Sequence, residues 1–166
     1  SNPIRMSRKI GLTVVQRIQQ SCVLSPVSFL STILFATPNS ALAEEDLKKI
    51  TYELKTLLES CPYHQNMHIV SGLFDSWLQK TMEVTGIKRS SHPGGVVIHA
   101  PEEVKPLLAY YRNNSLHIFV LPSLISCFFL HKDEISYSDL LKHTKNYYQL
   151  LKSEFFLYWS EKEIET

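Results

Sequence analysis

Lys88-Arg89-Ser90-Ser91-His92-Pro93-Gly94-Gly95-Val96-Val97-Ile98 is the stretch where the helical spacing of apolar residues gives way. It is rich in turn formers, ends in three β-branched residues, and follows a weak alternation over Met82 to Lys88. This pattern predicts a β-hairpin whose connection, across residues 88–95, is longer than a two-residue turn. On both sides of it apolar residues recur at helical spacing, so the fold class is mostly α, a helical bundle with one small β-hairpin.

Upstream, Arg5 to Ser21 reads as a helix with Ile10, Val14 and Ile18, and Val15 and Leu12 nearby, as one apolar stripe. Ser25-Pro26 opens a second helix, since serine caps well and proline at the first position lacks only an N–H that would be unpaired anyway. That helix, Val27 to Ala36, is apolar nearly all round and should be the central buried element. A turn at Pro38-Asn39-Ser40 precedes a third helix, Glu44 to Ser60, with Leu47, Ile50, Leu54, Leu57 and Leu58 as its inner face. Ala43 is a poor cap, so this helix is expected to fray at its start. Cys61-Pro62 stops it, 63–70 reads as a polar loop, and Val70 to Lys80 as a fourth helix with Leu73, Phe74, Trp77 and Leu78 inward. The order of helices and hairpin is winged-helix-like.

Downstream, Pro101 to Tyr111 and Asn113 to His131 read as helices, the second kinked or broken near Phe119 by Pro122. Ser136 with Asp139 outlines a capping box for a last helix, with Leu140, Leu141, Tyr147, Leu150 and Leu151 inward. The chain is expected to be a single domain over 1–166, divisible into 1–100 (helices plus hairpin) and 101–166 (helical).

Among 166 residues, 44% are hydrophobic and 20% charged, which is globular rather than disordered. Seventeen basic against sixteen acidic residues leave +1, a balance that does not mark a nucleic-acid binder. Three widely spaced cysteines, Cys22, Cys61 and Cys127, do not outline a disulfide framework and suit a reducing compartment. The first residues have no apolar core of a signal peptide, and the apolar run from Leu116 to Leu130 is shorter than the ~20 residues of a membrane span.

Four constellations are candidates for chemistry. Cys61, His64 and His68 have zinc-like spacing, but no second cysteine is near in sequence, and a solvated loop is the stronger reading. Cys22 and Cys127 sit in apolar segments and read as small buried hydrophobes rather than nucleophiles. Lys88, Arg89 and His92 on the hairpin, with Arg5, Arg8, Lys9 and Arg17 on the first helix, would suit a nucleic-acid surface. The recognition helix would then be Glu44 to Ser60, whose three leading acids have the wrong sign. The densest polar cluster is Tyr110, Tyr111, Arg112, Asn113, Asn114 and His117, with Asn113 and His117 sharing a face if the helix is continuous. Arg112 can hold a phosphate or carboxylate by its planar fork, and the stronger reading is that the cluster satisfies backbone groups at a helix junction. No phosphate-cradling glycine loop and no serine-nucleophile elbow occurs.

The run Tyr110-Tyr111-Arg112-Asn113-Asn114-x-x-His117-x-x-x-Leu121-Pro122-Ser123-Leu124 resembles a motif in the carboxy-terminal region of the membrane-associated bacterial glycerol-3-phosphate acyltransferases, kin to the mitochondrial glycerol-phosphate and dihydroxyacetone-phosphate enzymes. Val14-Val15-x-Arg17-Ile18, Leu24-Ser25-Pro26-Val27-Ser28 and Leu150-Leu151-Lys152-x-Glu154-Phe155-Phe156-Leu157-x-Trp159 are similar to further stretches of it. The resemblance implies a parent enzyme that moves a fatty acyl group from acyl-CoA or acyl carrier protein to glycerol 3-phosphate in phospholipid synthesis. It further implies a peripheral site on the cytoplasmic face of the inner membrane, with the upstream catalytic domain and the membrane surface as partners, no cofactor and no nucleic acid. The family's catalysis rests on H-x-x-x-x-D, a histidine base oriented by an aspartate. Five residues after His64, His68, His92, His99, His117, His131 and His143 stand Ile69, Leu73, Val97, Val104, Pro122, Ser136 and Tyr148. The chain is therefore expected to be a soluble carboxy-terminal accessory fragment with no catalytic residue of its own.

Overall fold

The computed structural model describes residues 3–130 and 132–165. The chain divides into two compact units: one is the contiguous segment Ser21–Ser115, and the other joins the first helix to the chain from Leu116 onward. The division does not fall after residue 100, because the helix that follows the hairpin packs on the second helix of the chain.

In the contiguous unit, β1 (Val23–Leu24) leads into α2 (Pro26–Ala36). The Ser25 hydroxyl caps α2 by accepting from the Ser28 N–H at 3.2 Å. Val27, Phe29, Leu30, Ile33 and Leu34 are all buried, because α3 (Glu44–Ser60), α4 (Phe74–Thr85) and α5 (Lys105–Asn113) pack round this helix. The Phe29 ring meets Trp77 of α4 at 5.5 Å, a tilted pair that adds to the burial.

Three strands form a small antiparallel sheet in the order β2 (Ala41–Ala43), β5 (Gly95–His99), β4 (Lys88–His92). Pairing of His92 with Gly95 leaves Pro93-Gly94 as a two-residue connection, tighter than expected. The turn-forming residues Lys88 to His92 belong to the strand itself. β4 is an edge strand, where polar side chains are tolerated and help to block further pairing. A second departure lies in 63–70, where β3 (His68–Ile69) pairs in parallel with β1.

The helix α4 starts at Phe74 rather than Val70. Before it, Gly72 has φ +146°, and a Cβ there would lie 2.8 Å from the Trp77 indole nitrogen, so only glycine fits. Leu73, expected inward, is the residue before the helix and is exposed. On α3 the buried positions are Leu47, Thr51 and Leu58, while Leu57 faces solvent.

The winged-helix-like order is present, with α2, α3 and α4 as its three helices. The first helix of the chain belongs to the other unit, so the helix that directly precedes the hairpin in the chain is α4, while Glu44–Ser60 packs against the sheet.

The second unit comprises α1 (Pro3–Gln20), α6 (Leu116–Phe128) and α7 (Tyr137–Phe155). α6 runs unbroken through Pro122, and His131 lies outside the described residues. Ser136 caps α7 through the Asp139 N–H at 3.1 Å. The inner face of α7 differs from expectation: Thr144 and Tyr148 are buried, whereas Tyr147 and Leu150 are exposed. After Phe156, with φ 54°, the chain turns back and buries Leu157. The Tyr148 hydroxyl donates to the Trp159 carbonyl at 2.7 Å, and the Lys152 ammonium donates to the same oxygen.

No side chain of α1 is buried. Its apolar stripe Ile10, Val14 and Ile18 is 55%, 52% and 66% exposed. The helix is held by its polar side instead: Gln16 donates to the Leu157 carbonyl at 3.1 Å and Gln19 to the Phe155 carbonyl at 2.8 Å.

Candidate functional site

The polar cluster is divided by the fold. Tyr110, Tyr111, Arg112 and Asn113 end α5, Asn114 caps it, and His117 lies in the first turn of α6, in the other unit. Asn113 and His117 therefore do not share a helical face, because residues 114–115 form a turn between the two helices. The Ser115 hydroxyl sits at this break. It donates to the Arg112 carbonyl at 3.1 Å and meets the Thr32 hydroxyl of α2 at 3.0 Å, which supplies a partner to a carbonyl at the helix end.

The Arg112 guanidinium lies 4.5 Å from the Phe35 ring centre and donates to the Asn113 side-chain oxygen at 3.0 Å. A stacked, half-buried arginine is positioned by its aromatic neighbour, and its remaining N–H groups can still meet an acceptor. Tyr110 is exposed and packs edge-on against Tyr111 at 5.4 Å.

His117 is buried. Desolvation lowers its pKa to about 4, and a hydrogen bond with the Gln19 backbone pulls weakly the other way. It is neutral at neutral pH and ties α6 to α1.

The other candidates separate. Among the described residues, no three His, Cys, Asp or Glu side chains converge as a metal site would require. The His64 ring accepts from the Asn66 N–H at 3.1 Å. Burial pushes the Cys22 thiol up to about 11, which suppresses the thiolate a nucleophile needs. Cys127, expected to be buried, is exposed on α6.

Arg89 of the hairpin forms a two-pronged ion pair with Glu44, both contacts at 2.6 Å. Two consequences follow: the start of α3 is anchored despite Ala43, and Arg89 is neutralised rather than offered to phosphate. α4, the helix that precedes the hairpin in the chain, carries Asp75, Lys80 and Glu83, and α3, which packs on the sheet, opens with Glu44, Glu45 and Asp46, so no basic face accompanies it. Nothing in the local sequence around Glu44 or Arg89 signals their pairing, which depends on strand register.

In the second unit an open hollow of about 520 Å³ is lined by Arg8, Leu12, Val15, Gln16, Lys152 and Phe156, among others. The ionisable groups in its lining are two cations, Arg8 and Lys152.

These features describe a mostly α region with a small sheet whose polar groups chiefly join helices to each other. The chain belongs to the family described as the glycerol-3-phosphate acyltransferase C-terminal region, a model of which matches residues 2–166. It is 27% identical over 159 residues to a glycerol-3-phosphate acyltransferase of Pseudomonas savastanoi pv. phaseolicola, covering 96% of this chain and 19% of that protein. Identity is 31% over 144 residues with the Shewanella loihica protein of that name, covering 87% and 18%. With its Xanthomonas axonopodis pv. citri counterpart it is 32% over 152 residues, covering 92% and 17%. The chain thus spans about a fifth of the length of these curated relatives.

Proposed function

We propose that this chain is the non-catalytic carboxy-terminal part of a glycerol-3-phosphate 1-O-acyltransferase. The parent protein transfers a fatty acyl group from acyl-CoA or acyl carrier protein to glycerol 3-phosphate, the entry to phospholipid synthesis, at the cytoplasmic face of the inner membrane. Upstream catalytic residues perform the transfer, and this region packs on them and steadies them. Tyr110, Tyr111, Arg112, Asn113, Asn114 and His117 serve as its contact surface or internal brace.

The observation that carries this reading is the family match over residues 2–166. The absence of aspartate five residues after each of the seven histidines supports the non-catalytic role. Among the described residues no helix is long and apolar enough to cross a membrane, which is compatible with a peripheral attachment.

The test is the parent enzyme carrying Arg112→Ala or His117→Ala. Loss of activity or of thermal stability in either supports the role of the cluster, and no change in both refutes it. Acyl transfer by the 166-residue chain alone would refute the non-catalytic assignment.

A further inference from the structure

An amphipathic helix normally turns its apolar side to its own domain. α1 does the reverse. Gln16 and Gln19 hold its polar side to the backbone of Leu157 and Phe155, and Ile10, Val14 and Ile18, at i, i+4 and i+8, point to solvent with Met6 beside them.

The charge on this helix has one sign. Pro3–Gln20 contains Arg5, Arg8, Lys9 and Arg17 and no Asp or Glu. Arg8 stands next to the apolar face beside Val15 (i, i+7), and Arg17 next to Ile10 and Val14 (i, i+7 and i, i+3). Lys152 of α7 shares the hollow flanking α1 with Arg8, although its ammonium is committed to the Trp159 carbonyl and lies within electrostatic reach of Glu163, so the one-signed charge is that of α1 itself.

We infer that α1 is a membrane-docking helix that lies in the plane of an anionic lipid surface, its apolar face in the acyl boundary and its cations among the headgroup phosphates. Cations bordering an apolar stripe, on a helix of low overall hydrophobicity, are the composition of helices that lie in such an interface. A protein partner would require an apolar face but no particular sign of charge, whereas an anionic bilayer selects the sign present here. The inference rests on the peripheral-membrane part of the proposed function and assigns it to one element.

The test is flotation of the 166-residue chain with phosphatidylcholine vesicles, with and without phosphatidylglycerol. The chain is expected to float with phosphatidylglycerol vesicles and to be released by salt, because exposed charges are screened. Ile10→Asp combined with Val14→Asp should lower partitioning about tenfold or more, since two apolar side chains no longer enter the lipid. Arg8→Gln combined with Arg17→Gln should keep the wild-type thermal melt and lose most of the phosphatidylglycerol dependence. α1 buries no side chain, so both variants should fold.

Equal flotation with both vesicle types, no flotation, or flotation unaffected by either double variant would overturn the inference. So would a dimer in sedimentation velocity that the aspartate variant disperses, which would assign the face to a second copy. The readout does not use acyl transfer. An active parent whose α1 ignores lipid defeats only this inference, and a lipid-binding chain from an inactive parent defeats only the functional reading.

Discussion

The segment Ser21–Ser115 and the unit formed by α1 with the chain from Leu116 differ in how they satisfy their apolar residues. The first closes round α2, with Phe29, Leu30, Leu34, Leu47, Ile98 and Leu108 almost wholly removed from water. In the second, the buried apolar side chains among the described residues are Ile118, Phe119, Tyr148 and Leu157. Ile10, Val14, Ile18, Leu130, Leu150 and Phe156 stay exposed there. The hydrophobic effect scales with apolar area withdrawn from water, so the contiguous segment is the self-sufficient one. The other leaves a larger share of its apolar side chains in water.

The largest effect expected from this contrast is in the contiguous core. Phe29→Ala should lower unfolding free energy by about 3–5 kcal/mol, measured by urea denaturation, because the side chain is fully enclosed between α2 and α4. A loss under 1 kcal/mol, taken as roughly a quarter of that range, would remove the distinction between the two units.

An intermediate effect should appear in the second unit on acidification. His117 has a pKa of about 4 in the fold against an ordinary 6.5, so the unfolded chain takes up its proton first as the pH falls. Its contribution is complete above the ordinary value and is lost as the pH drops through the folded one, worth on the order of 2–3 kcal/mol. Urea midpoints at pH 7 and pH 5, compared with those of His117→Gln, should show the wild type falling more steeply.

The smallest effect belongs to Ile10→Ala, which should change stability by less than about 0.5 kcal/mol, since the side chain faces solvent. A cost in thermal melting comparable to that of Phe29→Ala would show that the α1 face is already covered within the chain.

Local signals were legible where one residue decides the geometry. Ser25-Pro26 and Ser136 mark helix starts because their caps act on N–H groups two or three residues away, and both are observed. Helix bounds at Glu44 and Ser60 follow equally from nearby residues. Periodicity alone did not reveal what an apolar stripe faces. α1 and α7 both show helical spacing, yet Val14 and Leu150 point outward while Tyr148, with a hydroxyl to place, points in. The two-residue turn was missed because polar Lys88–His92 looks like loop, and only its position at a sheet edge explains its strand. The polar cluster was legible as a junction, but its division between two units was not. The Ser115 contact with Thr32 at the break between the helices spans 83 residues.

The attachment of α1 also has a consequence for how the polypeptide is made. The carbonyls that receive Gln16 and Gln19 come 141 and 136 residues later. At about 5–20 residues per second, a ribosome leaves that helix without its acceptors for roughly 7–30 s. Ser21–Ser115 can collapse in that interval from its own sequence, whereas the helix that precedes it waits for the carbonyls that anchor it.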